Sequence, residues 1–332
     1  MELTSQMPPA CATSIRNTGF QAPPFALVFI CQGTHSRGTL LQIENSAAGH
    51  GSLPSFSRNC PICESSKHTK LERYCVTEWP VVRCDGCSLV YIARSLDYSA
   101  LKQDHAWEKS HANEARRRRK NLVYRLDQAT RFRLKAGGSA DARWASSAVR
   151  KPGNVLDVGC GGSCRVADGV VPFGIEISQG LFEQAQPKYA ARGGRIINAP
   201  AHEGLDQFED NFFDAVIMRS YLEHEAHPRK VIAQVYRKLK PGGFALVKVP
   251  DFDCVGRHVM GAKWCGFRFP DHLNYFTEAT LRLLAETNGY RFERQNVIPR
   301  LNDNLYARFT RLGVAAQPIS VPREAVFEEA LA

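Results

Sequence analysis

The stretch Val155-Leu-Asp-Val-Gly-Cys-Gly-Gly-Ser163 decides how this chain folds. An apolar run leads straight into a turn dense in glycine. Gly159 and Gly161 remove side chains where the backbone must bend sharply and where a ligand must come close. In an open α/β sheet such a turn stands at the carboxyl end of a strand, where the ligand crevice forms. The turn alone does not select the ligand, because nicotinamide-binding proteins share it. The dinucleotide spacing Gly-x-Gly-x-x-Gly is absent, however, since Ser163 and Cys164 follow Gly162. Nineteen residues after Asp157, the run Val171-Pro-Phe-Gly-Ile-Glu-Ile177 ends a second apolar segment with Glu176. A carboxylate there can accept both hydroxyls of an adenosine's ribose.

Outward from this point, short apolar runs alternate with helical stretches, the pattern of βαβ units around a parallel sheet. Strands are expected at Asn154–Val158, Val170–Ile177, Arg195–Asn198, Asp214–Met218 and Phe244–Val249. Helices are expected at about Gln179–Ala191 and Pro228–Leu239, and at Thr277–Thr287 with Thr277 as N-cap. Two more strands, Arg291–Val297 and Leu305–Thr310, close the domain. The fold class that follows is α/β, a Rossmann-like doubly wound sheet.

These motifs together resemble the class I S-adenosylmethionine-dependent methyltransferases. Val155–Ser163 looks like their first motif, and Phe212-Phe-Asp-Ala-Val-Ile-Met218 like their fourth strand. Tyr221-Leu-Glu-His-Glu225 resembles the Leu-Glu-His signature after that strand, and Arg237-Lys-Leu-Lys-Pro-Gly-Gly243 the turn before the fifth. Pro270-Asp-His-Leu-Asn-Tyr-Phe-Thr277, followed by Leu281 through Gly289, is similar to a later segment of a methyltransferase-23/11-like branch. The resemblance covers about 154–311. It implies a seven-stranded sheet with its last strand antiparallel, and S-adenosylmethionine as cofactor. By matching positions, Asp157, Gly159 and Gly161 would border the cofactor and Glu176 would hold its ribose. Ala201 and His202 would lie near the adenine, and Arg219 near the methionine end. The chain departs from the pattern at three points. Ser163 replaces the third glycine, Pro200 replaces an acidic residue before the adenine position, and the Asp157-to-Glu176 interval leaves only a short first helix, at about Cys164–Gly169.

Ahead of this domain stand two C-x-x-C pairs, Cys60-Pro-Ile-Cys63 and Cys84-Asp-Gly-Cys87. Each two-residue gap lets a tight turn present both sulfurs, and zinc prefers four ligands in a tetrahedron. Cys60, Cys63, Cys84 and Cys87 are therefore expected to hold one structural zinc. The alternative is four unrelated reduced thiols. The segment also resembles the zinc-binding domain that precedes some bacterial class I methyltransferases.

Charge follows the same division. The chain of 332 residues carries a formal +10, from 43 Lys+Arg against 33 Asp+Glu. Residues 1–55 net zero, 56–153 hold 20 basic against 10 acidic residues, and the remainder balances at 21 against 21. The surplus thus surrounds the cysteine pairs and the run Arg116-Arg-Arg-Arg-Lys120. Eleven cysteines, odd in number and mostly scattered, do not suit a secreted disulfide scaffold and point to a reducing, cytoplasmic setting. No apolar run reaches the roughly 18 residues of a membrane span. The expected organisation is a leader (1–55), a zinc-ribbon-like module (56–95), a basic helical linker (96–152), the catalytic domain (153–312) and a tail (313–332).

His224 and His272 are the candidate general bases, because an unperturbed imidazole titrates near neutrality. Hydrogen-bonded structural roles compete for both. Trp264, Phe267, Phe269 and Tyr275 line an acceptor pocket or form core. Cys160 has no nucleophilic task, since methyl transfer needs none. Three readings remain open. The favoured one moves a methyl group to an oxygen, nitrogen or carbon of a small molecule, such as a sugar, lipid, quinone or secondary metabolite. The second docks RNA or protein through the basic zinc module. The third is a non-enzymatic zinc-ribbon protein with a degenerate methyltransferase fold.

Overall fold

The computed structural model describes residues 55–75, 79–96, 144, 145, 149, 153–296 and 303–313. The leader up to residue 54, nearly all of the 96–152 linker with Arg116–Lys120, and the tail beyond 313 lie outside the described residues. Seven strands form one sheet in the order β12-β13-β10-β9-β6-β7-β8. They are β6 (Asn154–Val158), β7 (Val171–Ile175), β8 (Arg195–Ile197), β9 (Phe213–Arg219), β10 (Leu239–Pro250), β12 (Tyr290–Arg294) and β13 (Asn304–Arg311). β13, the last in sequence, runs antiparallel between β10 and β12, while β6 to β10 pair in parallel. This is the expected doubly wound sheet with an antiparallel last strand.

Alternation along the strands explains the layers. Leu156, Val158, Val216, Met218, Val247 and Val249 join one core cluster with Leu205 and Val231. Those two lie on the helices α2 (Ala201–Asp206) and α3 (Pro228–Lys238), and a third helix, α5 (Glu278–Glu286), contributes Leu281 and Leu284. The intervening Val155, Ala215, Ile217 and Leu246 enter a second cluster on the opposite face. α1 (Gln179–Ala190) covers that face near β7 and β8 through Ala185 and Tyr189. Truncating a strand residue such as Leu156 would cost about 2–5 kcal/mol. Thr277 caps α5 as expected, in a capping box closed by Thr280.

One expectation fails. The short helix at Cys164–Gly169 does not form, and residues 159–170 are turns, bends and irregular backbone. Twelve residues must leave one strand and enter its parallel neighbour, and several are glycine. Their carbonyls are satisfied by a side chain instead of a helical ladder. Arg192, just beyond α1, donates to Val166 O at 3.0 Å, to Val170 O at 3.3 Å, and to Ala167 O.

The cysteine-bearing segment forms β2 (His68–Lys70), β3 (Val81–Cys84) and β4 (Val90–Ile92), with β1 (Ser55–Ser57) paired to β5 (Arg94–Leu96) alongside. Its sheet does not stop at its own last strand. β11 (Asn274–Tyr275), from the larger domain, pairs antiparallel with β4 in the order β11-β4-β3-β2. Ile92 N–H adds a bond to Leu273 O at 2.9 Å. Cys60, Cys84, Leu89 and Tyr91 belong to the same hydrophobic cluster as Leu156 and Val216, so module and domain share a core. All described residues fall in one compact unit.

Candidate functional site

The glycine turn at the end of β6 adopts the backbone the sequence implies. Gly159 has φ +68° and Gly161 φ +67°, a region that favours glycine. A Cβ on Gly159 would meet the Tyr221 ring at 3.0 Å, whereas the space beside Gly161 is open. Gly161 N–H donates to Glu176 Oε2 at 2.8 Å, and Ser178 N–H donates to Oε1 at 2.9 Å. The carboxylate beyond β7 is thus aimed at the turn by two backbone donors. Asp157 and Arg219, expected at the cofactor and its methionine end, form an ion pair at 2.6 Å across β6 and β9. Burial pushes the Asp157 carboxyl up from its ordinary value, and the guanidinium opposes that shift. Ala201 and His202 open α2, and Gly204 packs that helix tightly on the Ile175 side chain of β7. Cys160 is buried in the turn, and burial raises its thiol pKa well above the usual range, as befits an inert residue.

A second group assembles after β9. Glu223 is 1 % exposed and His272 3 %, and the His224 and His272 rings meet edge to face with centroids 4.7 Å apart. A potential ligand atom from each of the three lies within 4.8 Å of the others. Burial pushes Glu223 up to about 7 and His224 down to about 4. Glu223 Oε2 is buried with no hydrogen-bond partner. Glu223 was not singled out from sequence, although it sits inside the quoted Leu-Glu-His string. The string identifies the loop but does not reveal that its carboxylate turns inward.

Asn274 ties this loop to the module. It is 1 % exposed, donates to Leu222 O at 2.8 Å and Glu225 O at 2.7 Å, and accepts from Arg58 at 2.9 Å. Arg58 also donates to Ala226 O at 2.9 Å. Two residues before Cys60, it therefore grips the very loop that carries Glu223 and His224. Trp264 and Tyr275 are buried in a cluster with Val81, Val90 and Ile92 of the module, with Phe267 and Phe269 packed against it. These aromatics form the core of the seam.

The four expected cysteines converge, with Cys60 and Cys87 sulfurs 3.4 Å apart and Cys63 and Cys84 sulfurs likewise 3.4 Å apart. All four lie within 4.8 Å of one another. That separation is far beyond a disulfide's roughly 2 Å. It approaches the tetrahedron edge of about 3.8 Å implied by zinc–sulfur bonds of about 2.3 Å. The donor set suits one closed four-sulfur site.

Comparison with known proteins bears on the larger domain. A family profile described as a methyltransferase domain matches residues 130–295, half of the chain. The chain belongs to that family. It is 35% identical over 104 residues to phosphoethanolamine N-methyltransferase 2 of Caenorhabditis elegans, covering 29% of this chain and 24% of that protein. It is 32% identical over 103 residues to demethylmenaquinone methyltransferase of Symbiobacterium thermophilum, covering 28% and 41%. The chain thus spans about a quarter and two fifths of the lengths of these relatives. Among solved structures, the YcgJ protein of Bacillus subtilis aligns with a TM-score of 0.42 at 15% identity, over 52% of this chain and 98% of that one.

Proposed function

We propose that this protein is an S-adenosylmethionine-dependent methyltransferase for a small-molecule acceptor, with zinc held by its four-cysteine module. The observation that carries the reading is the 2.8 Å bond from Gly161 to Glu176, which joins the glycine turn directly to the strand-end carboxylate. The residues there fit the cofactor. Gly159 gives the turn its left-handed backbone, Gly161 leaves the approach open, Glu176 would accept the ribose hydroxyls, and Ala201 and His202 would border the adenine. Arg219, oriented by Asp157, would face the methionine end. When bound, S-adenosylmethionine supplies a methyl group already activated by its sulfonium.

The remaining task is positional: the acceptor atom must be held in line and water kept out. Tyr221 lies over Gly159, and Glu223 and His224 follow within three residues, so the loop after β9 continues from the cofactor edge to the acceptor side. His224 and His272 are the residues we assign to the acceptor. The buried His272 and half-buried His224 suit a ligand that enters a cleft better than a polymer lying on a surface. Both curated relatives carry names that specify small-molecule acceptors, phosphoethanolamine and demethylmenaquinone.

The zinc role is structural. Cys60, Cys63, Cys84 and Cys87 would fill a tetrahedral site with no open position, and the module they fold presents β4 to β11 behind His272.

The test is transfer from methyl-labelled S-adenosylmethionine into a fractionated cell extract. Label is expected among small molecules and is expected to fall with His224→Gln. Label confined to RNA or protein would overturn the choice of acceptor.

A further inference from the structure

We infer that Glu223, His224 and His272 form a second metal site, for a divalent first-row transition ion, on the acceptor side of the cleft. It is distinct from the four-sulfur site and goes beyond the methyl-transfer reading, since an ion would bind there whether or not that reading holds.

The argument starts from hydrogen-bond bookkeeping. His224 Nδ1 lies 2.9 Å from Asp271 O, and His272 Nδ1 lies 2.7 Å from Gly266 O. A backbone carbonyl can only accept, so each Nδ1 carries the proton. In the neutral ring, Nε2 is then the lone-pair nitrogen. This is the arrangement in which metal-bound histidines are found, with the second nitrogen anchored on a carbonyl or carboxylate that fixes tautomer and ring orientation. The third member is a carboxylate whose Oε2 is buried and unpartnered. One ligand atom from each of the two imidazoles and the carboxylate lies within 4.8 Å of the others. A buried carboxylate oxygen with no hydrogen-bond partner calls for a cation or a proton.

Two imidazoles and one carboxylate with open positions are the donor set of first-row transition ions, rather than of calcium or magnesium. The surroundings hold both signs of charge. Lys248 and Arg268 act on Glu223 to favour its ionised form, and Asp271 and Arg268 act on His224 in opposite directions. Burial nevertheless pushes the Glu223 carboxyl up, and a cation beside it would favour the ionised form. The loops are also braced from outside, because Leu273 N–H and Asn274 N–H both donate to Glu223 O, at 2.6 and 3.1 Å. The open positions on the ion would take an oxygen-bearing group of the acceptor.

The experiment uses the full chain with zinc already loaded on the four cysteines and verified at one equivalent, then titrates Co²⁺ and follows its visible absorption. A second equivalent is expected, with weak ligand-field bands and no sulfur-to-metal charge transfer. His272→Ala and the isosteric Glu223→Gln are each expected to weaken it more than about ten-fold, the loss seen even when a merely orienting partner is removed. Retained zinc and unchanged S-adenosylhomocysteine binding establish that each variant is folded. Glu223→Gln keeps the side-chain shape, so it decides the matter should His272→Ala fail to fold. Saturation at zinc alone, or a second equivalent indifferent to both substitutions, would overturn the site and leave a shared proton in its place. Neither result bears on cofactor binding, which is measured separately.

Discussion

Gly161 and Glu176, which meet at the proposed cofactor edge, lie 15 residues apart in sequence, whereas Arg58 and Asn274, which meet behind the proposed acceptor side, lie 216 apart. The first region is one strand, one turn and the next strand, so its chemistry is written in a contiguous string. The second is assembled by tertiary contacts: a module strand, the loop after β9, and two residues of β11 bound to both. The cofactor edge should therefore tolerate damage elsewhere, while the acceptor side should fail whenever its distant supports are removed.

The largest effect is expected from the four-cysteine site. Structural zinc binds with roughly 10–16 kcal/mol in small domains. Cys84→Ser should abolish zinc retention and unfold β2 to β4, leaving β11 without its partner. Elemental analysis and hydrogen exchange would register this as lost metal and lost protection around Leu273–Tyr275. S-adenosylhomocysteine affinity should change by less than about ten-fold, or 1.4 kcal/mol. An equal collapse of cofactor binding would break the distinction between the two regions.

Next comes the tether. Asn274→Ala removes the donor from the carbonyls of Leu222 and Glu225 and a partner from Arg58. Each buried group left short costs about 1–3 kcal/mol. Thermal unfolding should detect the loss, and kcat should fall while cofactor affinity holds. A change in affinity alone would place Asn274 in the wrong region.

How much of this was legible follows from the same contrast. The strand positions, the Thr277 cap, the glycine turn and the convergence of four cysteines all rest on residues whose neighbours in sequence announce their role. The absence of a helix at 164–169 was not announced, because it depends on Arg192 reaching back to three carbonyls. Nor was the start of β10 at Leu239 rather than Phe244, since Leu239 pairs with Phe213 ahead of a register shift. The pairing of β4 with β11 involves a two-residue strand, too short for any periodicity to reveal. Glu223 was visible as a letter but its inward direction was not.

A smaller effect is expected at the carboxylate itself. Glu176→Ala should weaken S-adenosylhomocysteine binding by about 1.5–3 kcal/mol, or roughly 10- to 150-fold, through loss of charge-assisted hydrogen bonds. Calorimetry on the folded variant checks this, and unchanged affinity would remove Glu176 from the site. The smallest effect is expected from neutralising Arg116–Lys120. If the run docked nucleic acid, binding would fall steeply with salt as counterions are released. A salt titration with a short labelled RNA should instead find weak binding that the substitution hardly alters. Submicromolar affinity at physiological salt, lost on neutralisation, would favour a polymer substrate.

The most direct test of the central claim is isothermal titration of the full chain with S-adenosylhomocysteine. A chain whose glycine turn, Glu176 and Arg219 form a working cleft binds one equivalent. A folded, zinc-loaded chain that takes up none would contradict the account and leave a methyltransferase fold without its cofactor.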